Sequence, residues 1–314
     1  MPLENAFDSP FAARSPEAHS IARLFDETLV VCGIIFALVV ALIVICSVRF
    51  RDRGGAPPAQ TLGHRGMEVA WTIGPLVIVA GLLVRTAQTM AASDPTADRA
   101  PDLTIIAHQW WWEVRYPSGA VTANEVHVPV GRSLLLDIES ADVVHDFWVP
   151  QLARKIDATP GHPAHIWMQA DAEGTYGGAC SEYCGDEHAW MRIAVIAQSP
   201  AAFDAWERHE REPAPAPSGP AASSGLATFE RLTCVECHAI GGLGAAGERP
   251  PAAPDLTHLA ERQTLAAGVL VNDEARLAAW LKEPDRFKPG SHMPNLLLTD
   301  AEVTGLVAYL ETLR

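Results

Sequence analysis

Twenty consecutive residues from Leu29 to Val48 carry no charge. As an α-helix, that run is about 30 Å long, the thickness of a bilayer's hydrocarbon core. A second apolar run reaches from Val69 to Val84, and Thr86–Met90 extends it past Arg85. Alone, the second run has the length of a buried globular helix. Its separation from the first by only about twenty residues favours a transmembrane hairpin, at about 28–48 and 69–90. Beyond Leu103 the pattern shortens to LTIIA, WWEVRY, EVHVP, SLLLDIES, HIWMQA and MRIAVIA, punctuated by Pro117-Ser118-Gly119 and Pro160-Gly161. Many short strands between turn signals predict a β-sandwich or barrel. A short helix should follow, with Ser199 as N-cap, Pro200 at its first position and Trp206 on its apolar face.

Residues 211–224 read REPAPAPSGPAASS, a Pro/Ala-rich stretch expected to be a semi-rigid tether. The remaining residues read as helical, and Thr299 with Glu302 three positions on forms a capping box for the last helix. The predicted division is an extramembrane segment at 1–27, a hairpin at 28–91, a β domain at 92–210, a linker at 211–224 and an all-α domain at 225–314.

Charge orients this arrangement. The chain carries a net −15, yet residues 28–90 sum to +3. That excess lies in Arg49, Arg51, Arg53 and Arg65, between the apolar runs. Short Arg-rich loops stay cytoplasmic, so the N-terminus and everything after residue 91 should lie on the periplasmic side of a bacterial inner membrane. The first 27 residues hold no separate signal-peptide core, and the first helix is expected to serve as an uncleaved insertion signal. An acidic chain offers no basic face for nucleic acid.

The cysteine spacing carries the chemistry. Cys180, Cys184, His188 and Met191 fall within twelve residues, CSEYCGDEHAWM. Thiolates, imidazole and thioether together select copper or zinc over hard cations. The methionine distinguishes the pattern from a structural zinc site. His145, in SADVVHDFWVP, is a distant candidate to complete the set. The competing reading is a redox disulfide between Cys180 and Cys184.

This motif, C-S-E-x-C-G-x-x-H-x-x-M, resembles the binuclear copper (CuA) loop of subunit 2 of haem–copper cytochrome c oxidases. The resemblance implies a cupredoxin-like antiparallel β-sandwich. It also implies that Cys180 and Cys184 bridge two coppers and that His145 and His188 cap them. Met191 and the main-chain oxygen of Glu182 would be the weak axial ligands. In AHQWWW, Trp110 would receive electrons and Trp112 would sit nearer the copper; an ordinary aromatic ladder is the alternative. The Glu182 side chain resembles a carboxylate that helps hold magnesium at the subunit interface. Glu68, at the start of the second apolar run, matches a glutamate at the mouth of a proton-uptake path. A helix N-terminal acid that suits the macrodipole is the other reading of Glu68.

A second motif lies at 234–238, CVECH. C-x-x-C-H is the signature of covalent haem c attachment, with Cys234 and Cys237 bonded to the vinyls and His238 on the iron. A zinc site would need a further ligand pair, and residues 225–314 hold no other cysteine. The single methionine of that stretch, Met293 in GSHMPNL, is the leading distal ligand. His292 and His258 are the alternatives. The segment resembles a class I cytochrome c.

Together the resemblances imply the electron-input subunit of a terminal cytochrome c oxidase, with no catalytic centre of its own. Electrons would pass from a cytochrome c or bc1-type donor through haem c and CuA to a catalytic subunit 1 that reduces O2. Proton translocation would be coupled to that reduction, and a subunit 3 and the lipid bilayer would complete the surroundings. A nitric oxide reductase with a copper-bearing subunit is the alternative within the class. A membrane-anchored copper chaperone or redox sensor is the alternative outside it.

Overall fold

A computed structural model describes residues 9–52, 54–55, 63–93, 99–241 and 253–314. It divides into two compact units, residues 19–94 and the rest.

The smaller unit holds most of two long helices, α1 (Pro16–Arg49) and α2 (Arg65–Ser93). Both extend beyond the apolar runs, and α1 begins twelve residues earlier than the hairpin expected at 28. At 1.5 Å per residue its 34 residues are about 50 Å long. Apolar side chains such as Leu29, Ile34, Phe36, Val77 and Leu83 lie exposed along both helices. An unbroken exposed apolar surface of this length suits lipid. Arg85 closes one end of the pair with a bidentate bond to Glu27, both contacts at 2.9 Å. Most of the Arg-rich connection lies outside the described residues.

In the larger unit, two five-stranded sheets form a sandwich. The strands are β1 (Leu103–His108), β2 (Trp111–Arg115), β3 (Val121–Ala123), β4 (Glu125–Pro129), β5 (Leu134–Ser140), β6 (His145–Trp148), β7 (Ile156–Ala158), β8 (Ala164–Met168), β9 (Gly174–Cys180) and β10 (Arg192–Gln198). Their orders are β3-β2-β1-β5-β8 and β4-β10-β9-β6-β7. The sandwich is not antiparallel throughout, because β1 runs parallel to β5 and β4 parallel to β10. The chain leaves β1 through β2, β3 and β4, then returns to β1's other edge as β5 in the same direction. The inner faces bury Ile105, Trp112, Leu136, Ile138, Phe147, Ile166 and Ile193 at 0% exposure. After β10 comes α3 (Pro200–His209), capped by Ser199, whose hydroxyl accepts from the Ala202 amide. Trp206 stacks on His127 with ring centroids 4.0 Å apart. The chain before α1 is stitched to the sandwich, since Arg14 N donates to Gln151 O and Ser15 Oγ to Leu152 O.

The all-α part begins inside the stretch read as a tether, with α4 (Gly219–Arg231). A β-pair follows, β11 (Thr264–Leu265) with β12 (Leu270–Val271), then α5 (Glu274–Lys282), α6 (Pro284–Phe287) and α7 (Asp300–Leu310). Helices α4 and α7 cross backbone to backbone. A Cβ added at Gly225 would lie 1.9 Å from the Gly305 carbonyl oxygen, so only glycine fits there. One turn on, Phe229 packs edge-on against Tyr309. Thr299 and Glu302 form the expected capping box.

The two soluble domains pack on each other. Glu125, 2% exposed, accepts the amides of Gln263 and Thr264 and the Thr264 hydroxyl at 2.9–3.2 Å. Arg192 N donates to Ala267 O. Only residues 213–218 connect α4 to the sandwich in irregular conformation.

Candidate copper and haem sites

β9 and β10 are adjacent antiparallel strands, and the copper motif is the loop that joins them. Their register sets Ala179 opposite Arg192, and Cys180 N donates to Met191 O. The loop's two ends are thereby closed on each other. β6 lies on the far edge of β9, with Phe147 opposite Cys180. That pairing carries His145, the first residue of β6, to the loop from 35 positions away.

The six expected copper-site positions converge. The Cys180 and Cys184 sulfurs lie 3.8 Å apart. His145 Nδ1 is 3.9 Å from Cys180 Sγ, and His188 Nδ1 is 3.6 Å from Cys184 Sγ. Met191 Sδ lies 3.9 Å from Cys184 Sγ, and the Glu182 carbonyl oxygen 3.2 Å from Cys180 Sγ. His145, Cys180, Cys184 and Met191 are each at most 5% exposed. A largely buried set of two thiols, two imidazole nitrogens, a thioether and a carbonyl, with His188 half-buried and Glu182 exposed at its rim, fits a soft thiophilic metal. The Glu182 carboxylate itself points to the exposed surface.

Asp142 fixes the direction of His145. Its Oδ1 takes the Nε2 proton at 2.8 Å, leaving the Nδ1 lone pair facing the sulfurs. Burial opposes ionisation of Asp142, but bonds from His145, Val143 N and Gln109 N hold its carboxyl below the usual range. A hydrogen bond from the Cys184 thiol depresses the Cys180 pKa against burial, and the same bond with burial raises that of Cys184. The pair therefore sheds its first proton easily and keeps its second, unless a cation neutralises both sulfurs.

Trp112 is fully buried, and its ring lies edge-on to His145 at 6.1 Å and to Phe147 at 5.8 Å. Trp110 is nearer the loop than its place in the sequence suggests. Its Nε1 donates to the Cys184 carbonyl at 3.0 Å, beside Gln109 Nε2 at 2.8 Å. Trp110 also neighbours His292 of the all-α domain, with ring centroids 4.7 Å apart.

The haem motif lies in the turn after α4, where His238 N donates to Cys234 O. His238 Nδ1 donates to Pro254 O at 2.8 Å, leaving Nε2 as the free lone pair. Burial lowers the His238 pKa and keeps the imidazole neutral, the form that binds iron. The three distal candidates separate by position. Met293 packs on the apolar cluster that also holds Cys234 and Val235. His292 faces Trp110, and His258 is turned to His209 and the Glu212 carbonyl. The motif residues fit a haem as far as the donors go.

Glu68 is exposed in the first turn of α2, its amide bonded to His64 O. Sequence reasoning missed Asp142, Gln109 and the buried pair Lys288–Glu187. Lys288 Nζ lies 2.8 Å from Glu187 Oε2 and donates to the Trp110 carbonyl at 3.2 Å. Asp142 sits three residues before His145, which was the only available signal; Lys288 and Glu187 are a hundred residues apart and left none.

Comparison with known proteins spans most of the chain. A family model described as the transmembrane domain of cytochrome c oxidase subunit II matches residues 8–85. The model of its periplasmic domain matches 119–198, and the cytochrome c model matches 222–314. Cytochrome c oxidase subunit 2 of Alkalihalophilus pseudofirmus is 32% identical over 314 residues, spanning 96% of this chain and 89% of the relative. The protein of the same name from Bacillus sp. (strain PS3) is 30% identical over 286 residues, spanning 84% and 80%. The crystal structure of the periplasmic domain of subunit II of cytochrome oxidase of Bradyrhizobium japonicum shares 32% identity. It covers 36% of this chain and 96% of that one, with a TM-score of 0.34.

Proposed function

The chain belongs to the cytochrome c oxidase subunit 2 family, and from that premise we propose that it is the electron-input subunit of a terminal oxidase whose fused cytochrome domain is the immediate donor to a dicopper centre. It is a membrane protein with two transmembrane helices, a periplasmic domain and a cytochrome c domain. The proposed ligands are Cys180, Cys184, His145, His188, Met191 and the Glu182 carbonyl for copper, and Cys234, Cys237, His238 and Met293 for haem c. When bound, the two groups supply one-electron redox chemistry, and His/Met ligation favours a high haem potential.

The observation that carries the reading is the place of Trp110. The indole Nε1–H of this residue donates to the copper-loop carbonyl of Cys184, and its ring meets His292, the neighbour of Met293. A residue of each segment, Cys184 of the copper loop and His292 beside Met293, thus touches the same indole, which supports the reading. The residues around them do three things. The β9–β10 hairpin holds the thiols rigidly, Asp142 orients His145, and burial excludes water, all of which lower the rearrangement cost of a charge change.

The catalytic partner would be the oxidase's subunit 1, with subunit 3 beside it and a cytochrome c or bc1-type donor upstream. Glu182, exposed beside the loop, would offer its carboxylate to magnesium at that interface, and Glu68 would stand at a proton-uptake mouth. The soluble domains would face the periplasm of a bacterial inner membrane, as the arginines between the helices favour.

Absorption and electron paramagnetic resonance of the purified chain test the reading. A c-haem band with a mixed-valence dicopper signal is expected. Cys184→Ser should abolish the dicopper signal and leave the haem attached. A single loosely held copper with no haem would overturn the proposal in favour of a chaperone.

A further inference from the structure

Outside both donor sets, three further groups converge where the domains meet. His209 ends α3 of the copper domain, and His258 and Glu261 belong to the cytochrome domain. Each offers one ligand atom, and the three atoms lie within 4.8 Å of one another. His209 Nε2 is already 3.2 Å from the Glu261 carboxylate. Bonds of 2.0–2.1 Å in a tetrahedral zinc site set ligands about 3.3 Å apart, so this pair already has the spacing and His258 must close by at most about 1.5 Å.

The second observation is the state of His258. It is 2% exposed, and its Nδ1 has no hydrogen-bond partner. Its Nε2 bonds to the Glu212 carbonyl oxygen at 3.1 Å. A carbonyl only accepts, so Nε2 carries the ring proton and Nδ1 is a buried bare lone pair. That is the state of a metal-binding imidazole, whose second nitrogen donates to an outer acceptor. His209 repeats the arrangement, its Nδ1 facing the Glu212 carboxylate at 3.5 Å while Nε2 faces Glu261. One residue, Glu212, thus backs both histidines.

The surrounding charge favours a cation. Arg262 is the positive group nearby, and its Nη2 is engaged with the Asp255 carbonyl. Against it stand Glu210, Glu212, Glu261 and Asp255. Burial, then the charges of Glu261 and Asp255, push the Glu210 carboxyl up to about 7 despite Arg262. A crowd of carboxylates around two imidazoles is relieved by a divalent ion.

We propose that His209, His258 and Glu261 form a zinc-class metal site that clamps the cytochrome domain to the copper domain. Imidazole and carboxylate suit Zn2+ better than Mg2+ or Ca2+, and the fourth position is left for water. Binding through His209 Nε2 needs the ring proton on Nδ1, which faces the Glu212 carboxylate, and it leaves oxidation states unchanged. Neither redox centre is involved, so the site stands or falls apart from the electron route.

The test uses the full chain in detergent with haem and copper loaded. After chelator treatment, Zn2+ is titrated against a chromophoric competitor. The wild type should take one equivalent in the micromolar range or tighter. His209→Ala and Glu261→Gln, both on partly exposed residues, should weaken it at least tenfold while the haem band and dicopper signal persist. X-ray absorption at the zinc edge should show two imidazole nitrogens. Equal affinity in both variants, or no uptake by the wild type, overturns the site.

Discussion

Replacing Lys288 by methionine would cut the polar tie between the cytochrome domain and the copper loop. Lys288 and Glu187 have side chains 6% and 2% exposed, so water screens their attraction little. The substitution leaves the Glu187 carboxylate buried, with its second oxygen already unpartnered, and it removes the donor to the Trp110 carbonyl. Loss of one partner from a buried pair costs about 3–5 kcal/mol. At 1.4 kcal/mol per decade that is roughly a hundredfold to a few thousandfold in the docking equilibrium. Hydrogen exchange reads it at the amides of Gln263 and Thr264, which bond across the same interface to Glu125. Their protection should fall by up to that factor, and haem-to-copper electron transfer should slow with it. Burial already raises the Glu187 pKa against Lys288, so without the lysine the carboxyl takes a proton more readily. The defect should therefore be larger at pH 8 than at pH 5. Pairing Lys288→Met with Glu187→Leu should recover most of the loss. Unchanged protection in the single variant would refute the reasoning.

Met293→Ala should lower the haem potential in a redox titration and slow copper reduction by a reduced donor. Gly178→Ala should drive β6 and β9 apart, since the new Cβ would lie 2.5 Å from Trp148 O and 2.8 Å from Val149 Cγ2. About 1–3 kcal/mol or more of thermal stability should go, together with copper affinity, because those strands carry His145 and Cys180. Burial drives the His127 pKa down to about 4. Its contribution is complete above the unfolded value of 6.5 and is lost as pH falls towards 4, up to about 3 kcal/mol. His127→Gln should flatten the acid limb of sandwich stability between those limits, as followed by thermal unfolding.

Much of the copper site was legible because its ligands are soft, rare residues at fixed spacing on one loop. Six strands were legible because apolar residues bound their runs. β6 and β9 were not. β9 reads GTYGGAC, and its glycines serve a close backbone approach instead of a side-chain pattern. β6 is four residues long with His145 and Asp146 at its start. The tether at 211–224 was read from Pro and Ala alone, yet its residues 219–224 lie in α4, where Ala222 is buried by packing that composition does not encode. Docking of the two domains was invisible for the same reason. Glu125, Lys288 and His258 look like ordinary surface residues until distant chain segments cover them.

With His292 over its ring, Trp110 is only 7% exposed. On the proposed route, a diffusing carrier protein would therefore meet an occupied doorway, because the resident domain stands where a visitor would have to land. Traffic from outside would be handed to the resident first. The supply of charge to the sandwich would then depend on the local geometry of one polypeptide, and bulk carrier concentration would govern only the preceding step.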